Sequence, residues 1–337
     1  MTVQELKQAH HRAVSVPNGG GLGGAHAELQ HRATFNPLGF PLEIASSSED
    51  VLNAAREAWK GHKPVFKAWP MQVKITLSEV GGQNCPPHPK CRIEHHLVTN
   101  VGDADNYIVH DISQNFSYGC ISPAGLAHRS YFRHFFLEST ALCHIANRSA
   151  TPIHAACVEL DGRGVLLCGD SGAGKSTLAY SCAKAGWTYV TDDCSFLINE
   201  RTDRLVTGNY LQMRFRPESM ELFPELQRGE RTDRAGAGKP SVELQTGPGT
   251  ELKCAAASRI SYVVFLNRFG PRHQELDVFP KEVARRFITQ TLFSLPEVRA
   301  VQEARINTLL QVKVLELKYH DLSYAVSRLT RLVREDR

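Results

Sequence analysis

No apolar run in this 337-residue chain approaches the length of a membrane span. The stretch Met1–Val14 carries charge and histidine where a secretory signal has an apolar core. There is little net charge either: 39 Lys and Arg stand against 35 Asp and Glu, a formal +4. That excludes a whole-molecule field of the kind that draws DNA or an anionic membrane, so neither is expected as a partner. Cysteine is present, but its nine copies are odd in number and unevenly spaced, which argues against a disulfide framework and for reduced thiols in a cytoplasmic setting. No internal repeat is visible. With 42% hydrophobic and 22% charged residues the chain can bury a substantial core, and its length favours two unequal domains.

Residues 1–34 read as a mobile leader, with a short polar helix over Thr2–Val14 and a glycine-rich run, 17–24, that has no means of packing. Residues 35–147 read as a smaller α+β domain suited to acceptor recognition. In it, Phe40–Ile44 is extended, Ser48 caps a helix through Val51, Ala55 and Trp59, and strands follow at Val73–Leu77, Arg92–Val98 and Tyr107–Ile112. A helix is predicted over Tyr131–Ile145.

From residue 148 to 337 the periodicity becomes β-α-β. Ile153–Leu160 and Gly164–Cys168 are predicted as strands joined by a tight turn at Asp161-Gly162-Arg163, and Leu178, Ala179, Cys182 and Ala183 line one face of a helix that stops at Gly186. Trp187–Thr191 is the returning strand. Ile260–Leu266 and Val312–Leu317 read as strands, and Lys281–Leu292, Glu297–Leu310 and Leu322–Val333 as helices.

Between that strand and helix lies Gly169-Asp170-Ser171-Gly172-Ala173-Gly174-Lys175-Ser176, a complete G-x-x-x-x-G-K-S with the flanks the motif needs. Its glycines allow a loop whose N–H groups face inward, and the new helix adds its positive end, so the segment is a preformed anion site. Lys175 supplies a point charge for the phosphates of ATP, and the Ser176 hydroxyl is a ligand type that suits Mg²⁺. Thr177 completes the nucleotide-binding run and reads mainly as helix. Gly-Asp-Ser-Gly also occurs around protease nucleophiles, but those sit in all-β barrels, whereas a helix must begin at Lys175. Asp192 and Asp193 follow the next strand, at the edge where α/β folds bind ligands. One can hold the metal through water and the other can accept a hydroxyl proton. His154, at the start of the hairpin feeding the loop, is a candidate to orient an aspartate.

The run His154–Asp193, from His-Ala-Ala through Gly-Asp-Ser-Gly-Ala-Gly-Lys-Ser to Tyr-Val-Thr-Asp-Asp, resembles the catalytic domain of HPr kinase/phosphorylase. The resemblance implies a P-loop fold related to the nucleotide domain of phosphoenolpyruvate carboxykinase, and phosphorylation of a serine on a protein or peptide acceptor. It implies phosphate binding by Lys175 and Ser171, metal binding by Ser176, Asp193 as base, and His154 and Asp192 as its partners. Two departures stand out: Thr177 occupies the place of a glutamate, and the family's Glu-x-Arg-Gly is matched only by Gln212-Met213-Arg214-Phe215. The chain therefore looks like a divergent branch, of the kind that includes kinases of precursor (lasso) peptides.

Two weaker signals remain. Arg214, Arg216, Arg228, Arg231, Arg234 and Lys239 suggest either a mobile arm that closes over phosphates or a solvated loop. Cys85, His88, Cys91, His95 and His96 are ligand types at C-x₂-H-x₂-C spacing, for which a proline-stiffened loop is preferred to a zinc knuckle. A serine kinase is the leading expectation. A nucleotide-gated binding module and a small-molecule kinase or carboxykinase are the alternatives, and a homo-oligomer stays open.

Overall fold

A computed structural model describes residues 29–79, 82–232, 241–268, 274–290, 292 and 294–335. They form a mixed α/β protein of two compact units, one within residues 29–148 and the other within 149–335.

The first unit is built on β1 (His31–Phe35), β2 (Leu42–Ser46), β3 (Met71–Leu77), β4 (Lys90–Glu94), β5 (Leu97–Val101), β6 (Tyr107–Asp111) and β7 (Phe116–Ile121). Among the described residues these make one seven-stranded sheet in the order β1-β2-β3-β7-β6-β5-β4, parallel only at β2–β3 and β3–β7. β3 shows the period of two that drives this: Met71, Val73 and Ile75 are buried while Gln72 is exposed. The helix Glu49–Ala58 starts at Ser48, whose hydroxyl accepts from Asp50 N at 3.3 Å.

Several expectations need correction here. His31–Thr34, at the end of the expected mobile leader, belong instead to β1 and pair with β2; residues 1–28 of that leader lie outside the described residues. Arg92–Val98 is not one strand but a hairpin, because His95 takes a left-handed φ of 51° and Glu94 pairs with Leu97. The helix over Tyr131–Ile145 is broken by a π-helical stretch, Arg133–Glu138, before Ser139–Arg148 resumes the α-helix. There the Ser139 and Thr140 hydroxyls donate to the carbonyls of Phe135 and Phe136, a back-bonding that bends helices. β7 was not anticipated at all.

A buried polar chain crosses this unit. Asn100 Nδ2 donates to His110 Nε2 at 3.3 Å, so His110 Nδ1 carries the proton and donates to Ser117 Oγ at 2.9 Å. Ser117 then donates to His144 Nε2 at 2.7 Å. That leaves the proton of neutral His144 on Nδ1, a buried atom with no hydrogen-bond partner among the described residues.

The second unit contains β8 (Ala150–Ile153), β9 (Ala155–Leu160), β10 (Arg163–Cys168), β11 (Thr188–Thr191), β12 (Ser195–Ile198), β13 (Leu205–Thr207), β14 (Gln212–Phe215), β15 (Glu230–Thr232), β16 (Ser241–Gln245), β17 (Ala257–Asn267), β18 (Glu275–Val278) and β19 (Lys313–Lys318). Among the described residues, nine of them form one sheet, β11-β9-β10-β17-β13-β12-β8, with β19 on β17 and β18 on β19; β14, β16 and β15 form a second. The central β10–β17–β19 pairings are parallel and buried. Alternate residues of β10 feed opposite cores. Val165 and Leu167 meet the helices Lys175–Lys184 and Leu322–Glu335, and Leu166 and Cys168 meet Lys281–Gln290 and Pro296–Leu309. Each fully buried leucine here contributes about 1.5–3 kcal/mol. The strand expected over Ile153–Leu160 is two strands, broken at His154. The strand returning after the loop pairs antiparallel with β9 instead of joining β10.

Candidate active site

β10 delivers the chain to the loop, and three glycines shape it. Gly169, Gly172 and Gly174 have φ of 149°, 93° and 95°, a region open to glycine and strained for any other residue. A Cβ on Gly174 would also stand 2.9 Å from the Tyr319 hydroxyl, and one on Gly169 would stand 2.9 Å from Ala173 Cβ. Gly174 is the N-cap of the helix Lys175–Lys184 and has no side chain to cap it, so the helix opens its first-turn N–H groups toward the loop.

Lys175 is 7% exposed, and its Nζ donates to the carbonyls of Gly169 at 2.7 Å and Asp170 at 3.1 Å. Burial holds its pKa below the ordinary lysine value and the Arg216 charge adds to that, while Asp193, Cys168 and Asp170 oppose it. Ser176 Oγ donates to the main-chain carbonyl of Asp192 at 3.4 Å. Thr177 is half-buried in the helix, where its carbonyl accepts from Ser181 Oγ.

The acidic pair divides sharply. Asp192 is 5% exposed, with Oδ1 accepting from the Tyr189 hydroxyl at 3.1 Å and Oδ2 from Arg214 N at 2.9 Å. Burial pushes its carboxyl up to about 6, against the pull of those hydrogen bonds. The Asp193 side chain is 62% exposed, and its Oδ1 lies 3.5 Å from Nδ1 of His154, at the bend between β8 and β9. Burial lowers the His154 pKa and the nearby Lys175 charge lowers it further, whereas Asp193 raises it. The fold thus gathers His154, Lys175, Ser176, Asp192 and Asp193 around one loop, within reach of each other's charge.

Two groups at this site, Tyr189 and Glu243, carry no sequence motif. Tyr189 sits in an apolar strand and reads as core, but its hydroxyl bonds Asp192 and the carbonyl of Gln212. Glu243 on β16 is buried opposite Arg214, which donates Nε to its Oε1 at 3.0 Å, and Gln212 Nε2 donates to its Oε2. A charged residue at the centre of Ser241-Val242-Glu243-Leu244-Gln245 was the available signal. Arg216 Nη2 donates to Ser171 Oγ at 2.8 Å. The basic segment that holds Arg216 is no mobile arm where it is described: Arg214 lies in β14, and Arg228 and Arg231 lie in a helical turn and in β15. The side chains of Arg228 and Arg231, and residues Arg234 and Lys239 altogether, lie outside the described residues. Among the described residues, no three His, Cys, Asp or Glu side chains are grouped as metal ligands, Cys85, His88, Cys91, His95 and His96 included. No helix among them is long and apolar enough to cross a membrane.

Comparison with known proteins gives two likenesses, each over part of the chain. The family described as SynChlorMet cassette protein ScmC matches residues 136–210. The HPr kinase/phosphorylase of Geobacillus thermodenitrificans (strain NG80-2) is 32% identical over 124 residues, 37% of this chain and 34% of that one. That of Bacillus subtilis (strain 168) is 46% identical over 59 residues, 18% of this chain and 19% of that one. The chain thus spans about a third or less of the length of these relatives. Among solved structures, the HPr(Ser) kinase/phosphatase from Coxiella burnetii is similar at 14% identity and a TM-score of 0.29, over 55% of this chain and 99% of that one. The chain is a distant relative of HPr kinase/phosphorylase, with a separate likeness to the cassette protein.

Proposed function

We propose that this protein is an ATP-dependent kinase that transfers phosphate to a serine hydroxyl of a protein or peptide. The observation that carries the proposal is the exposed Asp193 carboxylate, paired with His154 and in the field of the P-loop Lys175. An acceptor Oγ–H approaching this edge meets a carboxylate free to take its proton as the oxygen attacks the γ-phosphorus and the bond to the ADP oxygen breaks. A positioned base of this kind is worth about 10²–10⁴ in rate. Lys175, the loop amides and the helix start bind and orient the phosphates, which is most of what phosphoryl transfer asks of a protein. Buried Asp192, tied to Tyr189 and to β14, holds the main chain on which Asp193 stands.

Bound Mg²⁺ would supply charge neutralisation on the phosphates. The half-exposed Ser176 hydroxyl and, through water, Asp192 are the residues that would hold it, in keeping with an ion that takes few protein ligands. The names of the curated relatives support the kinase reading and suggest HPr as a first acceptor to try.

The test is transfer of label from γ-labelled ATP to HPr and to pooled serine peptides. Labelled acceptor is expected with the wild type, and a rate about 10²–10⁴ lower with Asp193→Asn. Transfer undiminished by Asp193→Asn removes the assigned base, and ATP affinity undiminished by Lys175→Ala removes the P-loop reading. Tight ATP binding with no labelled product on any acceptor would favour a nucleotide-gated binding module.

A further inference from the structure

The glycine loop has a guanidinium on either side of it. β14 ends at Phe215, and the next residue, Arg216, turns back so that its Nη2 bonds Ser171 Oγ at 2.8 Å and its Nη1 lies 3.7 Å from where a Cβ would stand on Gly172. β17 ends at Asn267, and Arg268 lies at the other end of the loop, with Nη1 3.6 Å from the Cβ position of Gly174. Both arginines are exposed, and among the described residues neither pairs with a carboxylate. Burial lowers the Lys175 pKa, and the Arg216 charge adds to that in a smaller measure. Positive charge gathered at the loop from Lys175 and the two arginines, set against the nearby Asp170 and Asp193, favours an anion of higher charge over one of lower charge.

The two arginines differ in what holds them. Arg268 touches the outside of the helix cap, beside Tyr319. Arg216 is fixed at the exposed stretch Ser171–Gly172, while the far end of the loop, Ala173 and Lys175, is buried. Its strand is anchored in turn, through Arg214 N on Asp192 and Arg214 Nε on Glu243. One of its N–H groups is spent on Ser171, and the other donors of the fork remain for a ligand.

We propose that Arg216 selects the donor by binding its terminal phosphate, so that the cradle takes nucleoside triphosphates in preference to diphosphates. The inner phosphates lie over the buried end of the loop with Lys175, and the outermost one meets Arg216 at the exposed end. The inference rests on nucleotide binding by the loop, the first half of the kinase reading, and not on the identity of any acceptor.

Calorimetric titration of the full chain in Mg²⁺ buffer, with a non-hydrolysable ATP analogue and with ADP, tests it. Arg216→Ala should lose about tenfold or more in affinity for the triphosphate, the scale of a charge-assisted bond to phosphate, and less than about twofold for ADP. Arg216→Lys should recover part of the loss, since a point charge replaces the fork. Arg268→Ala removes the same charge without the bond to the loop and should weaken both ligands alike. Equal loss of both ligands in Arg216→Ala, loss of neither, or the same selective loss in Arg268→Ala would overturn the assignment. Discrimination that survives when no acceptor is ever labelled supports the role of Arg216 while the kinase reading fails. A wild type that binds neither nucleotide ends both.

Discussion

Replacing Glu243 by Gln should unfasten the site from below. The Glu243 side chain is 1% exposed and that of its partner Arg214 is 22% exposed. Its two oxygens accept from two different donors, Arg214 Nε and Gln212 Nε2. A glutamine offers one oxygen and one NH₂, so with its oxygen on Arg214 it faces the Gln212 donor with another donor until Gln212 turns its own amide, and the negative charge opposite Arg214 is gone. Breaking a fully buried ion pair from one side costs about 3–5 kcal/mol. Water reaches the partly exposed guanidinium and offsets some of this, which leaves about 2–3 kcal/mol. Urea unfolding measures it. Trp187 is 1% exposed in the core of the second unit, so its fluorescence in a Trp59→Phe, Trp69→Phe background follows that unit. With a urea dependence of about 2 kcal/mol/M, the midpoint should drop by roughly 1 M. A double-mutant cycle with Arg214→Met should give a coupling of about 1–2 kcal/mol. Because Arg214 N also holds Asp192, phosphoryl transfer should fall as well. A midpoint that moves by less than about 0.2 M, or strictly additive losses, would refute the view that β14 is pinned by this pair.

Three further perturbations probe the same frame. Gly208→Ala would put a Cβ 2.4 Å from Thr191 Cβ, next to Asp192; differential scanning calorimetry should show a loss of about 1–3 kcal/mol, together with lower turnover. Gly174→Ala forces a left-handed φ on a residue with a side chain and crowds the Tyr319 hydroxyl; ATP affinity should fall at least tenfold, while far-UV circular dichroism stays close to wild type. His144 should make the first unit acid-sensitive. Burial, with help from Arg148, lowers its pKa from 6.5 to about 4, so between those values the unfolded chain binds the proton and the folded one does not. Stability is then full above pH 6.5 and declines by roughly 3 kcal/mol as pH falls toward 4. Burial lowers His62 of the same unit to about 4 as well, so His144→Phe should remove about half of the combined slope in urea titrations of the first unit, and a wild-type midpoint that is constant from pH 7 to 5 would contradict it.

The strand-loop-helix around Gly169–Ser176 was legible because each part of it is local: a short continuous apolar run in β10, glycines where φ must be positive, and a helix register starting at Lys175. The sheet of the first unit was far less so. In β7, Phe116-Ser117-Tyr118-Gly119-Cys120-Ile121 mixes polar and small residues into a strand that is buried by its neighbours and not by its own pattern. β1 is short and half-exposed, and it is a strand only because β2 lies beside it. The break at His154 is likewise tertiary, since β8 pairs with β12 and β9 with β10.

Spacing along the chain thus determined the anion loop, its lysine and serine, and the arrival of two aspartates one helix later, since these depend on neighbours within a few turns of chain. It could not tell the aspartates apart. They stand beyond β11, in a bend, where Asp192 turns inward to Tyr189 and β14 and Asp193 turns outward to His154. Nor could it supply Glu243, or show that Arg216, legible only as one member of a basic stretch, bonds Ser171 from the end of a separate sheet. Their places follow from long-range strand pairing, which no local periodicity encodes.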